Sequence, residues 1–244
     1  MSSAASATDK RHQSLLNATL VKSEFLSPET RLLILQVQGG ATLEFQAGQF
    51  IRVELEFHGG TIPLVYSIAS PPGSGNDLEL CVKLGRKGSP ADHLCSLSVG
   101  SQLWITRPQG GFVMRHTEAT TLFLAAGTGI APIRSMVQSL LRAGHKYPVC
   151  LIFGAKDLAS LFFHAEFAAF AERHPNFRYV PVLSRPHDGW NGASGYVQHH
   201  LDGVSRGTPR AYLCGPPEMV KSVSRLLSER GWPDNLVHYD RNGY

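Results

Sequence analysis

Four short stretches carry residue types from which chemistry could be built: Tyr66-Ser67, Gly127-Thr128-Gly129, Ser184-Arg185 and Cys214-Gly215-Pro216-Pro217. An apolar run from Leu122 to Ala126 breaks into Gly127-Thr128-Gly129, after which Ile130, Ile133, Val137, Leu140 and Leu141 recur at helical spacing. The pattern is a strand, a glycine turn and a helix start. Glycines let a backbone approach a ligand closely, and the free N–H groups at the start of a helix attract an anion such as a pyrophosphate. Pro132 stands where the last glycine of a GxGxxG fingerprint would fall, so on these residues alone a strand-turn-helix without a ligand fits equally well. Tyr66 offers a flat apolar face with a polar tip and Ser67 a short donor, which suits the edge of a planar heterocycle. For an isolated Tyr-Ser pair, ordinary cross-strand packing is the simpler account. Cys214 as a lone thiol would be a small buried hydrophobe, but a glycine and two prolines directly after a strand favour a functional position.

These stretches need elements to hold them. From Leu15 to about Thr106 the period is two: Ile51, Val53, Leu55 and Phe57 alternate with charged residues, as do Leu78, Leu80, Val82 and Leu84 with Glu79, Cys81 and Lys83. Less regular runs at 18–24, 30–38, 65–70 and 102–106 bring the count to six strands. Gly39-Gly40, Gly59-Gly60 and Pro71-Pro72-Gly73 mark turns between them. Six strands at hairpin spacing predict an antiparallel barrel or sandwich. One helix is inserted at Ser89-Pro90-Ala91-Asp92, which reads as N-cap, first-turn proline and acidic third position.

Beyond Gln109-Gly110-Gly111 strands and helices alternate. Strands are expected at 149–153, 178–183, 211–214 and 236–239, and helices at 161–173, 197–201 and from Pro217 to Gly231. That is a doubly wound parallel sheet, whose ligands bind at the carboxyl ends of its strands. Gly127-Thr128-Gly129, Ser184-Arg185 and Cys214-Gly215-Pro216 all fall at such ends. The expected organisation is a disordered tail over 1–14, a β domain over 15–114 and an α/β domain over 115–244.

Composition narrows the function classes. With 244 residues, 43% hydrophobic and 17% charged, the chain has the make-up of an ordinary globular protein with room for two modest domains. No apolar run reaches the length of a membrane span and the first residues are small and polar, so no membrane span is expected and a cytoplasmic protein is. The net charge of +4 is spread without a basic run, which argues against nucleic acid and leaves room for an anionic cofactor or an acidic partner. Cys81, Cys95, Cys150 and Cys214 lack metal-ligand spacing, and among eleven histidines the one close pair, His199-His200, diverges on a helix, so no metal site is expected.

A β-barrel followed by a nucleotide-binding α/β domain, with these segments in this order, resembles the ferredoxin–NADP reductase superfamily over about Leu15 to Tyr239. The resemblance implies a six-stranded barrel that binds FAD or FMN and a second domain that binds NADPH or NADH. Hydride passes from the nicotinamide to the flavin, and electrons leave to an acceptor. In that family an RxYS strand holds the flavin; here Tyr66 and Ser67 match and Leu64 replaces the arginine that grips the phosphate. Gly88-Ser89 resembles the family's glycine–serine turn for flavin phosphate, with Lys83, Arg86 and Lys87 nearby as substitute cations; for Arg86 and Lys87 a solvated basic hairpin fits equally. Gly48-Gln49-Phe50 matches a structural turn. GTGIAP from Gly127 matches the pyrophosphate turn, and Cys214-Gly215-Pro216-Pro217 the strand end that holds the nicotinamide, with Ser67 and Cys214 beside the reacting atoms. Ser184-Arg185 stands where NADPH-using relatives hold the 2′-phosphate, a group an arginine fork binds bidentately. The terminal Tyr244 has a counterpart in relatives that stack an aromatic on the flavin, though a frayed tail is the default. The implied acceptor is a separate ferredoxin- or flavodoxin-type redox protein, or free flavin. Leu64 also admits two variants: a flavin reductase with loosely bound flavin, and a non-catalytic nucleotide-binding subunit.

Overall fold

The structure, a computed structural model, describes residues 15–39, 43–115, 118–202 and 209–240. The tail expected over 1–14, Gly40 and the terminal Tyr244 lie outside those residues. β1 (Leu16–Ser27), β2 (Thr30–Val37), β3 (Phe50–Phe57), β4 (Gly60–Ser67), β5 (Asp77–Lys83) and β6 (Gln102–Ile105) form an antiparallel sheet in the order β4-β3-β6-β1-β2-β5. Past β4 the chain runs beside β5: Ile68 bridges to Leu80, and the Ala69 N–H donates to the Glu79 carbonyl at 2.8 Å. The two edges of the sheet are thereby joined into a barrel. Its interior is filled by the apolar positions of the period-two runs, including Ile51, Val53, Leu55, Leu78, Leu80 and Val82, and by Leu94 and Cys95 of α1 (Pro90–Ser96).

β4 differs from the expected strand at 65–70. His58 and Gly59 both have positive φ, 50° and 79°, and turn β3 directly back into β4, with Phe57 paired to Gly60. Pro63 hid this strand in the sequence; as a member of the outermost strand it needs no ladder partner on its open side.

The second sheet is parallel throughout: β7 (Thr121–Ala126), β8 (Val149–Ala155), β9 (Phe177–Leu183), β10 (Ala193–Ser194), β11 (Arg210–Cys214) and β12 (Val237–Tyr239), in the order β10-β9-β8-β7-β11-β12. Phe123 and Ala125 of β7 pack with α2 (Ile130–Arg142) and with Phe167 of α3 (His164–Arg173). Leu122 and Leu124 pack on the other face against Met219, Val223 and Leu227 of α4 (Pro217–Glu229). A strand covered on both faces is a continuous apolar run, which is how β7 reads. The strand order reverses between β7 and β11, and that switch opens a crevice at their carboxyl ends.

α3 starts at His164, not at the expected Leu161. Leu161 and Phe162 are buried ahead of the helix, and Phe163 interrupts it with φ 62°. Among the described residues no helix is long and apolar enough to cross a membrane.

Gly48, at the entry to β3, has φ +102°, and a Cβ there would lie 2.2 Å from the Phe112 carbonyl oxygen. A backbone oxygen cannot swing aside. Gly48→Ala is expected to lower stability by roughly 2 kcal/mol or more, seen as a lower denaturant midpoint at constant slope; an unchanged midpoint would show that this turn yields freely.

Candidate functional site

Two cavities meet between the barrel and the parallel sheet. The smaller, about 80 Å³, has Phe50, Val65, Tyr66, Ser67 and Cys81 on the barrel wall and Thr128, Gly129, Ala131, Cys214 and Asp240 on the other. Tyr66 and Ser67 close β4, paired to Ile51 and Phe50. Tyr66 packs with Leu64 against the barrel core, and that burial, aided by Cys95, pushes its hydroxyl above the usual phenol range. It therefore stays a neutral ring with a donor.

The opposite wall depends on a glycine. β7 runs into a tight turn over Gly127–Gly129 that continues as α2. A Cβ at Gly129 would stand 2.3 Å from the Cys214 carbonyl oxygen and 2.5 Å from its carbon, so only glycine lets the start of α2 touch the end of β11. Gly127 has φ +55° and open space where a Cβ would be. Among the described residues no side chain caps the start of α2. An open glycine backbone in front of uncapped helix amides is the cradle a pyrophosphate requires.

The larger cavity, about 590 Å³, adjoins the first at Thr128, which lines both. Lys83, Gly127, Ser184 and Pro216 line it, together with Lys156, Ser160 and Tyr196, which sequence reading passed over. Lys156 directly follows β8. The next residue, Asp157, is turned away by its own loop: its Oδ1 accepts from the Ser160 N–H at 2.9 Å and the Ser160 hydroxyl at 2.7 Å. Those hydrogen bonds, helped by Lys156 and Arg185, hold its carboxyl below the usual range.

The structure thus brings Tyr66, Ser67, Thr128, Gly129 and Cys214 to one cavity and Lys83, Gly127, Thr128, Ser184 and Pro216 to its neighbour. Gly215 packs beneath Met219, whose Cε would lie 2.7 Å from a Cβ there. Gly88, Ser89 and Arg185 line neither cavity. Lys83 faces the larger cavity rather than a cluster around Gly88-Ser89. At α1 the Ser89 hydroxyl accepts from the Asp92 N–H at 3.2 Å, and the Gly88 N–H donates to the Asp92 carboxylate at 2.8 Å. The amide expected to meet a flavin phosphate is already satisfied by an anion of the chain itself. The residues therefore fit a planar ring and a pyridine nucleotide, whereas the expected phosphate grip on the flavin is the part that does not fit.

Asp240 was also missed, although it follows β12 at a carboxyl end of the parallel sheet, where ligand-facing residues are expected.

Two family models match the chain. Residues 17–114 match the family model for the oxidoreductase FAD-binding domain, and residues 123–225 that for the oxidoreductase NAD-binding domain. The chain is 34% identical over 234 residues to ferredoxin–NADP reductase B of Sorangium cellulosum (strain So ce56), covering 92% of this chain and 96% of that protein. It is 33% identical over 231 residues to the phenol hydroxylase P5 protein of Acinetobacter pittii (strain PHEA-2), again over 92% of this chain but only 64% of that relative. Among solved structures, the Amycolatopsis cytochrome P450 reductase GcoB superimposes with a TM-score of 0.81 at 27% identity, over 92% of this chain and 68% of that one.

All four cysteines are free and buried, each in a different hydrophobic cluster. Among the described residues no three His, Cys, Asp or Glu side chains stand together to hold a metal ion. Burial pushes the thiols of Cys95 and Cys150 up to about 11 and that of Cys81 to about 12, and raises Cys214 further. Thiolate is the reactive form, so at about pH 8 a disulfide reagent should titrate none of them in the folded protein and all four after unfolding. The folded values lie above the unfolded value of 9.0, so their contribution to stability is present below that pH and declines as pH rises through it. Fast labelling of a native thiol would contradict this.

Proposed function

Since the chain belongs to the ferredoxin–NADP reductase superfamily, we propose that it takes a hydride from NADPH in preference to NADH, directs it to a flavin held at Tyr66 and Ser67, and supplies electrons to a separate redox protein. The protein is an oxidoreductase with FAD and a pyridine nucleotide as cofactors. The observation that carries the assignment of residues is the junction at Thr128. One wall of the smaller cavity comes from the barrel and the other from the nucleotide turn, so the residues proposed for the two rings face each other there.

When bound, the flavin supplies the hydride acceptor and the means of releasing electrons. The chain's own work is positional. The backbone of Gly127 and Thr128 and the start of α2 receive the pyrophosphate. Cys214 and Gly129, in contact with each other, bound the nicotinamide pocket, while the Ser67 hydroxyl and the Tyr66 ring orient the flavin edge. Phe50, Cys81 and Ala131 keep water from the junction. No general acid or base is required for this step, and proximity and orientation supply the acceleration. The relatives named as a ferredoxin–NADP reductase and a phenol hydroxylase protein support a redox protein as the acceptor.

The nucleotide preference rests on Lys156, Ser160 and Ser184 in the larger cavity. A carboxylate at the end of this strand would favour an unmodified ribose; here the nearby carboxylate, Asp157, is engaged by Ser160, and a cation faces the cavity instead. Lys156→Ala is expected to lower kcat/KM for NADPH about tenfold and leave NADH nearly unchanged. If Arg185→Ala has that effect and Lys156→Ala does not, the 2′-phosphate sits outside the cavity, where the sequence placed it.

A second reading, flavin exchanged as a substrate, is favoured by Leu64 packed on the barrel core and by Asp92 at the Gly88 amide. On this reading purified protein loses its flavin on gel filtration. Asp92→Asn and Leu64→Arg should each tighten FAD binding about tenfold, by removing a repulsive charge and adding a charge-assisted contact respectively. Stoichiometric FAD surviving purification of the wild type would sink this second reading. Absence of turnover with any added flavin would restore the non-catalytic one.

A further inference from the structure

One stripe of α2 faces the barrel and not its own sheet. Ala131 packs with Leu32, Ala69 and Cys81; Arg134 reaches Ala69 and Glu79; the Ser135 hydroxyl donates to the Ser70 carbonyl at 2.8 Å. The spacing places these three side chains on one helix face.

Arg134 is the centre of this contact. The residue is only 8% exposed. Within the α/β half, its Nε and Nη2 donate to the two carboxylate oxygens of Glu166 on α3, both at 2.9 Å, and its plane lies 4.3 Å over the Phe163 ring. Gln138 donates to the same carboxylate at 2.8 Å and holds it in place. The remaining terminal nitrogen, Nη1, crosses to the barrel, donating to the Ala69 carbonyl at 3.0 Å and to the Glu79 carboxylate.

The two barrel anchors are joined to each other, since the Ala69 N–H donates to the Glu79 carbonyl where the barrel closes. Ala69 follows Ser67 by two residues, and Glu79 precedes Cys81 by two; both Ser67 and Cys81 line the barrel wall of the smaller cavity. On the other side Arg134 lies one turn of α2 beyond Ala131, and α2 follows directly on Thr128 and Gly129; Thr128, Gly129 and Ala131 line the opposite wall. A buried ion cluster contributes little net stability relative to an apolar contact of the same volume, but a planar fork fixes geometry that an apolar contact does not.

We infer that Arg134, acting through Glu79 and the Ala69 carbonyl, is a positioning residue that sets the separation of the two walls and thereby the rate of hydride transfer between them. This rests on the hydride-transfer reading given above. A misplacement of about 1 Å is enough to slow such a step by roughly a hundredfold.

The test is single-turnover reduction of added FAD by NADPH, with the nucleotide deuterated or not at its transferable hydrogen, in wild type, Glu79→Ala, Arg134→Met and Arg134→Lys. Glu79→Ala removes the charged half of the link to the barrel, leaving only the Ala69 carbonyl on Nη1, and keeps the Arg134–Glu166 pair, so it reports even if Arg134→Met does not fold. Expected are a reduction rate at least about tenfold lower in Glu79→Ala and Arg134→Met, a larger deuterium effect, and FAD affinity and KM for NADPH within about twofold of wild type. Arg134→Lys, which keeps the charge, should recover part of the rate. The inference is overturned if Glu79→Ala transfers hydride at the wild-type rate, or if its loss appears only in FAD affinity, KM or melting temperature. A wild-type protein that transfers no hydride overturns the hydride-transfer reading and this inference together, whereas wild-type turnover matched by Glu79→Ala overturns this inference alone.

Discussion

A helix buried on every side at its start can be held in only one place, and α2 is such a helix: its first nine residues, Ile130 to Gln138, are all buried. Ile133, Val137 and Leu140 are taken up by the parallel sheet and its flanking helix. The three polar members, Arg134, Ser135 and Gln138, need partners wherever they go, because an unmet buried donor costs about 1–3 kcal/mol. They find those partners in the barrel and in Glu166. Two sheets built on opposite rules, one antiparallel and one parallel, are thus tied to a single helix, and the glycine turn at its head is presented to the barrel in one orientation.

The glycine turn, the β7 run and the Cys214 strand end were legible because each is a local feature: an apolar strand buried on both faces, a turn that admits no side chain, a helix that follows directly. Tyr66-Ser67 was found through its family resemblance, and the structure carries it to the same cavity as Cys214. What escaped reading depends on distant partners. Arg134 sits in mid-helix where a charged residue reads as solvent-facing, and only the arrival of Glu79 from β5 and Glu166 from α3 explains its burial. Leu161 and Phe162 continue a helical apolar pattern in the sequence, yet Phe163 breaks it in the left-handed region, where its ring lies against the Arg134 guanidinium. Lys156 was overlooked in favour of Arg185 because the fork of an arginine is the stronger chemical signal. Lys156 and Arg185 stand at the ends of neighbouring strands, where the Arg185 N–H donates to the Lys156 carbonyl at 2.8 Å, and of the two only Lys156 lines the cavity.

The site separates two tasks that a flavin protein must perform on one ligand. On the proposed reading ring recognition falls to Tyr66 and Ser67, neutral groups at a cavity wall backed by the barrel core. Phosphate recognition needs positive charge or free amides; position 64 offers an apolar side chain and the Gly88 amide is already taken by the Asp92 carboxylate, which leaves the exposed Arg86 and Lys87 as the cations next to that turn. A charge-assisted contact is about twice as strong as a neutral one, so losing it while keeping the ring pocket weakens affinity without disturbing the geometry at the reacting face. Hydride transfer depends on the separation of the rings during the encounter, whereas retention depends on contacts at the far end of the ligand. On the proposed reading Leu64 and Asp92 would act on retention, and the placement of α2 on the encounter.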